Sequence, residues 1–153
     1  MRVYRITAPA YVGRALSGEG AARFPGRWNS AGTRVAYTAS SASLAILEML
    51  VHVDRRAVPA DRRLLTFEVP DDAIAALDKR PRGWDRLPYS AEVRRAGDAW
   101  VRGGASLALR VPSAVVRHEH NVLINPAHAR FAEIRLLADE PLALDARLFE
   151  CDD

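Results

Sequence analysis

Apolar residues at Leu44, Leu47 and Val51 recur at intervals of three and four, the spacing of one face of an α-helix. Ser40, Ser41 and Ser43 offer N-cap hydroxyls ahead of them, so the pattern predicts a helix from near Ser41 to about His52. Before it, Arg34 to Thr38 reads as a short strand. Gly26 to Thr33 has glycines, an asparagine and a serine with no apolar period, and reads as a loop carrying Arg27, Trp28 and Asn29.

Around this centre, Val3 to Ile6 reads as a first strand with Tyr4 and Arg5 on opposite faces, and Thr7 to Pro25 as a long loop with a helical turn at Tyr11 to Leu16. Arg55 to Arg63 is a polar connection to a half-buried strand, Leu64 to Val69, which Pro70 ends. Asp71 and Asp72 cap a short helix through Leu77, and Lys79 to Pro88 is an exposed loop anchored by Trp84. A helix from Ser90 to about Val101 stops at Gly103-Gly104, with Arg94, Arg95 and Arg102 on a solvated face. Leu107 to Val111 and Asn121 to Ile124 read as strands, followed by a turn at Asn125-Pro126. Ala132 to Ala138 and Leu142 to Leu148 read as two more, joined by Asp139-Glu140-Pro141. Short strands among about three helices predict an α+β fold with small mixed or antiparallel sheets. With no repeat or linker, residues 1–153 read as a single domain.

Composition narrows the function classes. The chain has 153 residues, 49% of them hydrophobic, enough for one real core. Its charge of +3 arises from 22 basic against 19 acidic residues, and no basic run is interleaved with aromatics, so direct nucleic-acid binding is not expected. A lone cysteine, Cys151, excludes an internal disulfide and fits a reducing compartment. No apolar run reaches membrane-span length, and MRVYRITAPAYVGR has no signal-peptide core, so the expected location is the cytoplasm.

Glu48 is the conspicuous candidate for chemistry. It projects from the helical face of Leu44, Leu47 and Val51, and a carboxylate there needs a partner or a cavity to line. Arg27 could pair with a phosphate or carboxylate, or stack on Trp28. Tyr37 could present its ring to a planar ligand, or be a core residue whose hydroxyl reaches the surface. Ser113 could bond a ligand in a cleft or simply make a turn, Asn125 reads as a turn residue, and Arg5 is a secondary candidate for a phosphate or acidic contact. His52, His118, His120 and His128 match no metal-ligand spacing, so no metal is expected.

Two blocks, GRWNSAGTRVAYTASSASLAILEMLVH and LALRVPSAVVRHEHNVLINPAH, resemble the signature blocks of the RES-domain family, named for an arginine, a glutamate and a serine that match Arg27, Glu48 and Ser113. The resemblance runs from the Tyr4-Arg5 strand to the Asn125-Pro126-Ala127-His128 turn. It implies an ADP-ribosyltransferase-like fold and a toxin of a bacterial toxin–antitoxin pair that consumes NAD as a phosphorylase or glycohydrolase, or else ADP-ribosylates a protein target. It also implies an antitoxin partner with a helix-turn-helix DNA-binding part whose C-terminal segment blocks the NAD cleft, and hence a possible hetero-oligomer. In that scheme Glu48 stabilises the charge that develops on the ribose as the nicotinamide bond breaks. Arg27 holds the pyrophosphate or ribose, Tyr37 packs on nicotinamide, and Ser113 and Asn125 orient the nicotinamide ribose or amide. A catalytically silent NAD- or partner-binding module is the alternative.

Overall fold

A computed structural model of the chain describes residues 1–53 and 61–149. Cys151 and most of the Arg55 to Arg63 connection lie outside the described residues. The strands are β1 (Arg2–Thr7), β2 (Ala36–Ala39), β3 (Arg63–Glu68), β4 (Ile74–Ala76), β5 (Ala108–Pro112), β6 (His120–Ile124) and β7 (Arg135–Pro141). Three α-helices accompany them among the described residues: α1 (Glu19–Arg23), α2 (Ala42–Leu50) and α3 (Ala91–Gly103).

The fold is α+β, as expected, but the strands form one seven-stranded sheet, in the order β4-β5-β6-β2-β1-β3-β7, where several small sheets were expected. All pairings are antiparallel except β4 with β5. Because side chains alternate across a strand, the register sorts the core into two layers. Val3, Ala36, Leu65, Phe67, Ala108, Val122 and Ile124 pack on one face with Ala15 and Leu16. The other face meets the helices: Trp28, Val35, Leu109, Val111 and Leu123 with Val93 of α3 in one cluster, and Ala39 with Leu44 and Ala45 of α2 in another.

Three expected elements differ. Asp71 to Leu77 is a single 3-10 turn (Asp71–Ala73) followed by β4, because Ile74–Ala76 pair in parallel with Ala108–Arg110. Neither aspartate caps a helix: Asp71 meets the N-terminal ammonium at 2.8 Å, and Asp72 meets Arg130 at 3.1 Å. Asp139-Glu140-Pro141 is no connection but the end of β7, which stays paired with β3 through Arg63↔Pro141. Leu142 to Leu148 then forms no strand; the Asp145 side chain accepts from Arg147 N and caps a 3-10 turn, Ala146–Leu148. The long passage after β1 is more ordered than expected, holding a 3-10 turn (Pro9–Arg14) and α1.

Both longer helices begin at the serines expected to cap them, and α3 ends at its glycines, while α2 stops at Leu50, short of the expected His52. Ser41 Oγ accepts from Leu44 N at 3.0 Å, and Ser90 Oγ accepts from Glu92 N at 3.2 Å. Gly104 closes α3 at φ 58°, the left-handed conformation that glycine adopts without strain. In α3, Gly97 is required by contact: a Cβ there would lie 1.8 Å from the carbonyl oxygen of Trp28, so the helix rides directly on the Arg27–Asn29 backbone.

Candidate active site

Glu48 is held from the opposite wall of the site. Its Oε1 accepts a 2.8 Å bond from Ser113 Oγ and a 2.6 Å bond from Asn121 Nδ2. Ser113 is completely buried, and its Oγ also accepts from Val115 N at 3.1 Å and Val116 N at 3.0 Å. Two backbone donors therefore occupy the lone pairs of the hydroxyl and aim its single proton at Glu48. Both side-chain bonds land on Oε1, and Oε2 has no hydrogen bond among the described residues.

The helix carrying Glu48 sits differently from its apolar pattern. Leu44 and Ala45 are buried against Tyr4, Ile6 and Val116, while Leu47 is 39% and Val51 58% exposed. Only the first turns of α2 press on the sheet, which leaves Glu48 to face the β5–β6 hairpin. A second clasp fixes the other end of the helix: Ser41 Oγ donates to Glu119 Oε2 at 2.6 Å, and Ser113 N donates to the Glu119 carbonyl at 3.0 Å. Glu119, just before β6, and Asn121 in it both reach α2, so one edge of the hairpin grips the helix at Ser41 and at Glu48.

Arg27 and Tyr37 belong to a second framework. Arg27 Nη1 donates to the carbonyls of Trp84 at 2.8 Å and Arg86 at 2.9 Å. Its guanidinium stacks 4.7 Å from the centre of the Tyr89 ring, not on Trp28, which is buried in the core. Its Nε and Nη2 make no hydrogen bond among the described residues, so part of the fork is available to a ligand. The Tyr37 hydroxyl accepts from Trp28 N at 3.0 Å and donates to Asn29 Oδ1 at 2.8 Å. Burial, the largest influence on it, pushes its pKa far above the ordinary phenol value, and the Trp28 backbone bond only partly offsets this. Tyr37 is therefore an anchor for the loop and no proton donor to a substrate.

The loop itself is locked by Asn29, fully buried, whose Oδ1 also accepts from Gly26 N at 2.9 Å and whose Nδ2 reaches the carbonyls of Ala21, Ser30 and Thr33. Gly26 has no room for a side chain, since a Cβ would lie 2.6 Å from the Tyr37 oxygen. From α3, Asp98 accepts from Ser30 N at 2.9 Å. Burial would raise the Asp98 pKa, but hydrogen bonds from Ser30 and Thr33, with the charge of Arg102, hold it below its ordinary value. Arg94, expected in solvent, donates from Nε to Gly26 O at 3.3 Å and lies 5.8 Å from the Tyr89 ring.

Arg5 donates from Nη1 to the Tyr37 carbonyl at 2.6 Å. Its Nε is the one buried side-chain nitrogen or oxygen without a hydrogen-bond partner among the described residues, and burial lowers its pKa from the usual arginine value. A buried cationic donor without an acceptor carries an uncompensated desolvation cost, and the register places Arg5 on the Val3–Leu65 face of the sheet, away from Glu48. Asn125 is placed apart from Glu48, at the opposite end of β6 from Asn121. Its Nδ2 donates to Val101 O and its Oδ1 accepts from Ala127 N, both at 3.1 Å, so it builds the turn expected of it and ties β6 to α3.

The structure thus joins Glu48 to Ser113 and joins the Arg27 loop to Tyr37. It adds Asn121 and Glu119, which sequence reasoning had assigned only to a strand start and to a His-Glu-His run. The signal for Asn121 was its place on the same strand face as Leu123; Glu119, just before β6, carried no such signal. No group of three or more His, Cys, Asp or Glu side chains that could hold a metal occurs among the described residues. Cavities of about 170 and 130 Å3 exist elsewhere, and neither is lined by Arg27, Tyr37, Glu48 or Ser113.

An α+β fold with a carboxylate clasped by a serine, and with an arginine on a locked loop, defines the kind of protein to which known ones can be compared. Residues 2–145 match the RES domain, and the chain belongs to that family. It is 37% identical to "Toxin Res" of Photorhabdus laumondii over 151 residues, 97% of either chain. It is 40% identical to the "Prs ADP-ribosylating toxin" of Sphingobium sp. strain YBL2 over 132 residues, 82% of either chain. The fold matches a chain of the M. tuberculosis MbcT-MbcA toxin-antitoxin complex with a TM-score of 0.71 at 21% identity, covering 97% of this chain and 86% of that one.

Proposed function

We propose that this chain is the toxin of a bacterial toxin–antitoxin pair and that it consumes NAD by breaking the bond between nicotinamide and ribose. The observation that carries this is the Glu48 carboxylate, fixed through one oxygen by Ser113 and Asn121 with the other free of hydrogen bonds among the described residues. A rigid carboxylate with one available oxygen suits the stabilisation of positive charge on a ribose as its glycosidic bond breaks, because a preorganised charge need not reorient during the reaction. The relatives named as toxins support the cellular role.

The residues present fit NAD as the substrate. Arg27, with Nε and Nη2 available, is suited to the pyrophosphate or the ribose. The Tyr37 hydroxyl is engaged, so its ring is the part left for nicotinamide. Ser113 acts through Glu48. Asn125 is too committed to its turn for the orienting role, and Asn121 takes that place in the proposal. No residue in the scheme requires a metal.

The acceptor separates two readings. Phosphate or water as acceptor makes the protein an NAD phosphorylase or glycohydrolase. A protein acceptor makes it an ADP-ribosyltransferase, a reading favoured by the 40% identity to the toxin named for ADP-ribosylating Prs. The purified protein should be incubated with NAD, with and without phosphate, and with a cell extract as protein acceptor, and its products identified. Free nicotinamide should appear with wild type and about a hundredfold more slowly, or slower still, with Glu48→Gln. NAD left intact under every condition removes the enzymatic reading and leaves an NAD- or partner-binding module. The proposal extends to one RES domain over residues 1–153, a cytoplasmic location and an antitoxin partner with a helix-turn-helix part. No helix among the described residues is long and apolar enough to cross a membrane.

A further inference from the structure

The hairpin that supplies Ser113 and Asn121 to Glu48 carries a second concentration of charged groups on its other side. Arg110 pairs with Val122 and Pro112 with His120, so Arg110 and His120 project from the face opposite Asn121. With Ala76, Leu77, Pro112 and Arg80 they line a pocket of about 130 Å3. Three of its six lining residues are basic and none is a carboxylate.

Among the described residues, the side chains of Arg80, Arg110 and His120 form no hydrogen bond or ion pair; Arg80 only overlies the Trp84 ring at 5.2 Å. Asp71, which lines an adjoining cavity with Arg110, is engaged by the N-terminal ammonium at 2.8 Å. The basic groups therefore converge without a counter-charge among the described residues. Burial first, then the charges of Arg110 and Arg80, lower the His120 pKa, in keeping with the closeness of the three basic groups.

Size and shape select the ligand class. At about 130 Å3 the pocket is well below the ~300 Å3 or more of a pocket for a drug-sized molecule, which favours a small ligand. A carboxylate would satisfy one guanidinium fork with its two oxygens, whereas a tetrahedral oxyanion can accept from both arginines and the imidazole at once. We propose that Arg80, Arg110 and His120 form a binding site for a phosphate group, free or at the end of a small ester, separate from the Glu48 site. His120 and Pro112 immediately precede Asn121 and Ser113, so the anion would sit behind both donors to Glu48.

Isothermal titration of the full chain with inorganic phosphate, and separately with glycerol 3-phosphate, tests the proposal without reference to NAD turnover. Sodium chloride at matched ionic strength is the control. Wild type and Arg27→Ala should bind saturably. The Arg80→Ala/Arg110→Ala double variant, altered at two exposed positions and checked for folding by its thermal melt in chloride, should bind roughly tenfold more weakly or worse, as loss of charge-assisted hydrogen bonds implies. Saturation by inorganic phosphate assigns the free ion, and saturation by glycerol 3-phosphate alone assigns an ester. Unchanged binding in the double variant, loss of binding in Arg27→Ala, an equal response to chloride or no saturation by either probe would each overturn the proposal.

Discussion

At the scale of single residues, the hydrogen bonds to Glu48 make a graded set of expectations. Glu48→Gln keeps the shape of the side chain and removes its charge, so NAD consumption should fall about a hundredfold or more while the thermal melt stays close to wild type. Asn121→Ala removes one of the two donors to Oε1. Hydrogen bonds to charged groups contribute about 1.5–3 kcal/mol, so the turnover number should drop roughly tenfold or more with KM little changed, because this bond aims a charge and touches no substrate. A KM effect alone in steady-state kinetics would place Asn121 in the binding surface instead. Arg27→Lys cannot hold the Trp84 and Arg86 carbonyls, stack on Tyr89 and still offer a fork to a phosphate. Most activity should be lost, and wild-type kinetics in this variant would remove Arg27 from the site.

Among elements, the decisive contact is between α3 and the loop that carries Arg27. Gly97→Ala would drive a methyl group into the Trp28 carbonyl, and overpacking of this kind costs about 1–3 kcal/mol. The thermal midpoint should fall by roughly 2–4 °C for each kcal/mol in a chain of this size, and activity should fall with it as Arg27 is displaced. Gly13→Ala, with open space around its Cβ, is the control substitution and should leave the melt unchanged. The same junction predicts a pH dependence. The folded pKa of Asp98 lies below its unfolded value, so its bond to Ser30 adds stability that is fully present above about pH 4 and is lost as pH falls through the folded pKa. Asp98→Asn should lose less stability than wild type over that acid range when unfolding is followed in denaturant. Equal acid sensitivity in the two proteins would show that other carboxylates set it.

For the molecule as a whole, the proposed function makes a cellular prediction. Expression of the chain alone should lower cellular NAD and arrest growth, and co-expression of a cognate antitoxin should reverse both. An acidic segment or a chain-terminal carboxylate could pair with the available part of the Arg27 fork and exclude NAD from the same space. Inhibition of the purified toxin should then be competitive with NAD. Rescue of growth by an antitoxin whose complex still binds NAD at full affinity would rule out occlusion and point to control through the acceptor or through conformation.

Much of this was legible from local pattern. The serine caps, the glycine stop of α3, the strand positions near the centre of the sheet and the mixed α+β class all follow from signals spanning a few residues, because capping and side-chain alternation are local physics. The need of Glu48 for a partner was legible too, since its helical neighbours are apolar. Which groups answer that need was decided only by the sheet, which brings Ser113 and Asn121, 65 and 73 residues away, to one carboxylate oxygen. The same holds for the exposure of Leu47 and Val51, the commitment of the Tyr37 hydroxyl to the Arg27 loop and the parallel pairing that turned an expected helix into β4. Each depends on what another part of the chain presents at that point, and a periodicity read along one segment does not contain its partner.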